Sequence, residues 1–149
     1  MDRDVIIHIK GLQSIDESGQ EEPIEIVVPG QYFLKNGIHY FRYEECFEDF
    51  EQPAANYVKI LPDGTMEVRK TGLIHTNLVF EKGKKNLTSY TTPYGTLQMG
   101  ITTTGLALDV REHLVEMKAD YSLDVAGEHM ANCYIQIRAE SKNSPDFVL

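Results

Sequence analysis

Zinc is held by His and Cys side chains clustered at set spacings. This chain scatters His8, His39, His75, His113 and His129 along its length, and its two cysteines, Cys46 and Cys133, stand far apart. The histidines read as surface or capping residues and the cysteines as small buried apolar ones. Neither a metal nor another cofactor is expected. A phosphate loop needs a glycine spacing that lets backbone N–H groups cradle the anion, followed by Lys and Ser/Thr. Gly83-Lys84-Lys85 lacks the upstream glycine and the hydroxyl, and the run from Gly100 to Gly105 lacks the lysine. Both read as turn or bulge glycines. No Gly-x-Ser-x-Gly elbow presents a serine nucleophile. The acidic run Glu44, Glu45, Glu48, Asp49 and Glu51 has the charge to draw a hard cation but not the Asp-x-Asp-x-Asp-Gly loop that would hold it. It reads as a solvated strand end. No catalytic residue is assigned, and an enzyme is the least favoured class.

What remains is a set of polar side chains that a scaffold would have to aim. Arg69 lies mid-strand and has the charge to meet an anionic ligand group. Its phase is opposite to that of Val68, however, which points it outward, where it would pair with a carboxylate. The chain has eight tyrosines. The strand phases set out below turn Tyr32, Tyr43 and Tyr121 inward with Ser89 and Thr91, and leave Tyr90 outward. Tyr32, Tyr43, Arg69, Ser89, Thr91 and Tyr121 are therefore the candidate ligand-binding residues.

The scaffold follows from alternation. In residues 4–13, Val5, Ile7 and Ile9 share a face; after the polar turn Asp16 to Glu22, Ile24, Ile26, Val28, Tyr32 and Leu34 share another. Pro29-Gly30 interrupts that second strand, and since proline cannot donate to a ladder, a bend or an edge is expected there. Asn36-Gly37 is the strongest short hairpin signal. A two-residue loop would set Lys35 opposite Ile38, Tyr32 opposite Phe41 and Gly30 opposite Tyr43. Pro62-Asp63-Gly64 predicts a three-residue turn pairing Ile60 with Met66 and Val58 with Val68.

The stretch from Leu73 to Arg111 reads as three consecutive strands of one antiparallel sheet. Pro93-Tyr94-Gly95 predicts a three-residue loop with Thr92 opposite Thr96 and Ser89 opposite Met99, so that Leu87, Ser89, Thr91, Leu97, Met99 and Ile101 face inward. The apolar phase then changes from odd (Leu97, Met99, Ile101) to even (Leu106, Leu108, Val110), which demands a bulge or bend near Gly105. Residues 114–125 and 131–139 place Val115, Met117, Ala119, Tyr121, Cys133, Ile135 and Ile137 on odd positions. A shared face then requires an odd number of residues between the strands, and three are expected around Gly127-Glu128-His129. Residues 141–149 read as a frayed tail, whose Phe147, Val148 and Leu149 have the alternative of docking on an apolar opening.

The 149 residues suit one domain spanning 1–149, with a core that needs no disulfide staples. The formal charge of −9 disfavours nucleic acid and anionic membrane as partners. The N-terminus lacks the apolar block of a signal peptide, and no run approaches a membrane span, so a cytoplasmic setting is expected. About ten short strands with closely spaced turns and no helical period predict an all-β, antiparallel up-and-down barrel of about eight to ten strands.

One pattern runs through nearly the whole chain: Tyr40-Phe41-Arg42-Tyr43-Glu44, Val68-Arg69 with Gly72, Leu78-Val79-Phe80-Glu81-Lys82-Gly83, Tyr90-Thr91-Thr92-Pro93-Tyr94-Gly95 and Gly100-Ile101-Thr102-Thr103. It resembles the YwiB-like family of uncharacterised bacterial β-barrel proteins, grouped with the lipocalin-like calycins. Leu78 stands where that family is expected to have Met. The resemblance implies an antiparallel barrel and a cytoplasmic setting, and it implies no activity. The function expected is binding of a small, partly apolar molecule in the lumen or mouth. The alternative is a filled barrel serving as a protein–protein interaction module or homodimer.

Overall fold

The computed structural model describes residues 3–15, 21–46 and 53–142. Ten strands follow one another: β1 (Asp4–Ile15), β2 (Glu21–Lys35), β3 (Ile38–Glu45), β4 (Ala54–Ile60), β5 (Met66–Gly72), β6 (Thr76–Phe80), β7 (Lys85–Thr92), β8 (Gly95–Arg111), β9 (Leu114–Val125) and β10 (Glu128–Ser141). They form one antiparallel sheet in the order β6-β5-β4-β3-β2-β1-β10-β9-β8-β7. Pairing of β1 with β10 wraps the meander round, so the two sheet edges, β6 and β7, face each other and the barrel is nearly closed. We call the end carrying the β2–β3 and β4–β5 turns lower, and the opposite end upper.

The seam between β6 and β7 is bridged at its upper end, and below it the connection joining the two strands pairs with β8. Above, His75 and Thr91 exchange N–H···O bonds of 2.9 Å; below, Gly83 N–H donates to Thr103 O at 2.8 Å and Thr103 N–H to Lys84 O at 3.1 Å. The 73–111 stretch therefore holds the seam, and only β7 and β8 within it form a continuous ladder.

Two hairpins take the expected register because their turn residues dictate it. Asn36 and Gly37 adopt φ of 54° and 77°, and Lys35 meets Ile38, Tyr32 meets Phe41 and Gly30 meets Tyr43. In the β4–β5 turn, Gly64 N–H donates to Leu61 O, the Asp63 carboxylate caps Thr65 N–H at 2.9 Å, and Ile60 and Val58 face Met66 and Val68. At Pro29-Gly30, β2 passes from pairing with β1 to pairing with β3, so Pro29 needs no donor on the β3 side. Leu34, at the end of the inward phase, is exposed.

Two other turns differ from expectation. The β7–β8 loop has two residues, Pro93 and Tyr94, so Thr92 pairs with Gly95, Thr91 with Thr96 and Ser89 with Gln98. Thr92 Oγ1 accepts from Tyr94 N–H at 3.1 Å and tightens the turn. This one-residue slip exchanges the faces of β7. Asn86, Thr88, Tyr90 and Thr92 turn inward, while Leu87, 78% exposed, turns out with Ser89 and Thr91. The β9–β10 loop is also two residues, Ala126 and Gly127; the odd residue that the phase requires is a bulge at Met130. The bulge expected near Gly105 is present, with Thr104 the extra residue between Thr103↔Tyr121 and Gly105↔Asp120.

The inward phases meet in one cluster that includes Val5, Ile7, Phe41, Val58, Ile60, Met66, Val68, Phe80, Ile101, Val115, Met117 and Ile137, all essentially without exposure. Each large apolar side chain so buried contributes about 1.5–3 kcal/mol. Cys133 is half-buried on the inner side, but Cys46, read as buried, is exposed just past β3. Glu48, Asp49, Glu51, the 16–20 turn and the tail from 143 lie outside the described residues.

Candidate ligand-binding site

Directly above the apolar layer of Phe41, Val58, Val68 and Leu78, the same inward phase turns polar. Tyr43 pairs with Asn56, Asn56 with Lys70, and Lys70 with Thr76. The His75–Thr91 bridge sets Thr76 level with Tyr90 across the seam. Glu45, two residues above Tyr43 on the same face of β3, completes a belt running from β3 to β7.

Its centre is a charge pair. Lys70 Nζ donates to Glu45 Oε1 at 2.5 Å and to Asn56 Oδ1 at 2.8 Å. The two charged side chains keep 18% and 16% of their surface exposed, so the pair is not sealed from solvent, whereas Asn56 is 0% exposed. Asn56 Nδ2 and Thr76 Oγ1 are both buried and have no hydrogen-bond partner among the described residues. An orphaned buried polar group costs about 1–3 kcal/mol, and native folds leave few of them. Tyr43 and Tyr90 flank the pair. Burial raises both phenols above the ordinary tyrosine range, and the Glu45 charge raises them further, so both stay neutral. The belt thus combines a self-neutralised ion pair with neutral hydrogen-bonding groups, two of which lack a partner among the described residues.

Of the candidate residues read from sequence, Tyr43 alone belongs to this belt. Tyr32 is buried lower down, where its hydroxyl shares a 2.7 Å hydrogen bond with His39 Nδ1 and its ring packs on Phe41 at 5.1 Å. Tyr121 faces inward but packs edge-on against Phe80, with ring centroids 5.1 Å apart, and burial followed by Cys133 raises its phenol. Ser89 and Thr91 lie on the outer face, bonded to Gln98 and Thr96, because the β7–β8 loop is one residue shorter than expected. Tyr90, read as outward, is brought in by the same slip. Arg69 is outside the lumen. It stacks at 5.6 Å on the ring of Tyr57, which also receives Arg42 at 5.9 Å, and among the described residues it has no carboxylate partner.

Glu45, Asn56, Lys70 and Thr76 were missed, although their signal was present. Carrying the Ile60↔Met66 and Val58↔Val68 register up one more pair gives Asn56↔Lys70 in the inward phase, and Glu45 follows from Tyr43 by the same alternation.

A family model described as "Domain of unknown function (DUF1934)" matches residues 7–137. The chain belongs to the DUF1934 family. The match contains every residue of the belt. A Bacillus subtilis (strain 168) relative, "Uncharacterized beta-barrel protein YwiB", is 23% identical over 133 residues, covering 88% of this chain and 90% of the relative. The crystal structure of the ywiB protein from Bacillus subtilis matches with a TM-score of 0.79 at 23% identity, over 95% of this chain and 93% of that one. The DUF1934 barrel is thus the fold of this chain, in agreement with the resemblance seen in its sequence. Neither the family description nor the relative's name assigns an activity.

Proposed function

We infer that this DUF1934 chain is a small-molecule-binding barrel, with the belt at its upper end holding the polar part of a small, partly apolar ligand. The observation that carries the reading is Asn56: fully buried, fixed through Oδ1 by Lys70, with Nδ2 unpartnered, as is the Thr76 hydroxyl on the far side of Lys70. Burying an ion pair and two orphaned groups adds little stability that apolar side chains would not supply. A ligand that completes those hydrogen bonds gives the arrangement a use. The test is displacement of an environment-sensitive apolar dye such as N-phenyl-1-naphthylamine. Wild-type protein should bind it saturably and release it to competing amphiphiles, and Asn56→Leu should weaken that competition at least about tenfold. No saturable uptake by folded protein would remove the reading.

The outer face supports a second reading, as an interaction module or homodimer. Exposed Phe33 and Tyr57 sit among Arg3, Arg42 and Arg69, side-chain types enriched at interface hot spots. A monomer by sedimentation, unchanged by Tyr57→Ala, would argue against self-association. The cytoplasmic setting remains our proposal. Among the described residues no helix is long and apolar enough to cross a membrane. The outward row on β9, Glu116, Lys118, Asp120, Ser122 and Asp124, is polar, the reverse of a barrel facing lipid.

A further inference from the structure

We propose that the belt selects an uncharged ligand head that accepts hydrogen bonds, such as a ketone, amide carbonyl or hydroxyl, and rejects a carboxylate. This rests on the small-molecule reading above. Lys70 is the cation that would attract an anion, but it is already held by Glu45 at 2.5 Å and by Asn56 Oδ1 at 2.8 Å. An incoming carboxylate would have to displace Glu45 or sit beside it, and two carboxylates within a few ångströms in a partly desolvated site repel strongly. A cationic head would meet Lys70 in the same way. The groups left unsatisfied are neutral ones, the Asn56 amide N–H atoms and the Thr76 hydroxyl. The Tyr43 and Tyr90 phenols stand beside them, kept neutral first by burial and then by the negative charge of Glu45. Amide and hydroxyl donors satisfied by a carbonyl or alcohol oxygen give a bond without adding charge. The layer beneath, Phe41, Val58 and Val68 with Leu78 against them, is packed into the core, so only the head of the ligand is read from the belt.

The test is calorimetric titration of the full chain at pH 7.5 with decan-2-one, 1-decanol, decanoate and decylamine, which share a tail of similar length and differ in the head. The ketone and alcohol should bind at least about tenfold more tightly than either charged compound. In Glu45→Gln, which frees Lys70 while keeping the shape of the side chain, decanoate should gain about tenfold or more. Decanoate equal to or tighter than the ketone in the wild type would overturn the inference and leave the small-molecule reading standing. So would a Glu45→Gln variant that still binds the ketone and still excludes decanoate. If folded wild type takes up none of the four and no apolar dye, both the inference and the reading beneath it fail.

Discussion

Lys70→Met separates a belt kept for binding from one kept for stability. The substitution retains most of the aliphatic stem and removes the ammonium. Asn56 Oδ1 then loses its donor in a site with no exposure, which costs about 1–3 kcal/mol. Glu45 loses its partner, but at 16% exposure it is not sealed, so only part of the ~3–5 kcal/mol of a broken buried pair applies, about 1–2 kcal/mol. The sum is about 2–5 kcal/mol, or a fall in Tm of roughly 6–12 °C at 3 kcal/mol for a domain of this size. The triple variant Glu45→Leu, Lys70→Met, Asn56→Leu removes all three polar groups together. It should lie within about 1 kcal/mol of wild type or above it, since apolar replacements of buried ion pairs are often neutral or stabilising. Urea denaturation followed by far-ultraviolet circular dichroism measures all three proteins. A triple variant as unstable as the single one would refute the reasoning, because the belt would then be structural. A loss under 0.5 kcal/mol for Lys70→Met, set against the ~1–3 kcal/mol of an orphaned group, would show that the ion pair is not engaged in solution.

Four further outcomes are expected. Burial lowers the His39 pKa below its usual 6.5, so the folded state resists protonation: its contribution is full above that value and is lost as pH falls through the lowered one. Wild type should therefore lose more stability between pH 7.5 and 5 than His39→Phe, as read from urea midpoints. Gly30→Ala would place a methyl 2.4 Å from Ile7 Cδ1 and 2.8 Å from the Arg42 carbonyl, and should cost about 2–3 kcal/mol in thermal or urea unfolding. Ala126 holds φ +51° in the β9–β10 turn, so Ala126→Gly should stabilise by about 0.5–1 kcal/mol despite the added chain entropy. Deleting Thr104 removes only the bulged residue and should leave a cooperative unfolding transition. Deleting Ala119 from the regular β9 would turn part of its inward set outward and abolish that transition.

Legibility in the sequence followed how strongly local chemistry fixed each geometry. Asn36-Gly37 demanded positive φ at both positions, and its register could be read with certainty of phase through to Gly30↔Tyr43. Pro62-Asp63-Gly64 and Pro93-Tyr94-Gly95 share a Pro-x-Gly form but make different loops. Gly64 takes φ +91° and closes a three-residue turn capped by Asp63, whereas Gly95 takes φ +136° and pairs with Thr92 as a strand residue. The side chain between proline and glycine, a capping carboxylate in one case and a tyrosine in the other, is the local difference. The β9–β10 parity was legible, but its location was not, because a bulge at Met130 satisfies it as well as a longer loop. The seam depends on where a ten-strand sheet stops pairing, which no local signal encodes. The belt escaped notice because Asn56, Lys70 and Glu45 are residue types that normally face water, and only their phase shows that they do not.

The most direct test of the central claim, that the belt holds a small molecule, is native mass spectrometry of gently purified protein compared with its denatured mass. The account predicts an added mass on the wild type that disappears on denaturation and is absent from folded Asn56→Leu. An added mass retained unchanged by Asn56→Leu and Lys70→Met would place the ligand elsewhere. A bare wild-type mass that stays bare when decan-2-one is supplied would contradict the account outright.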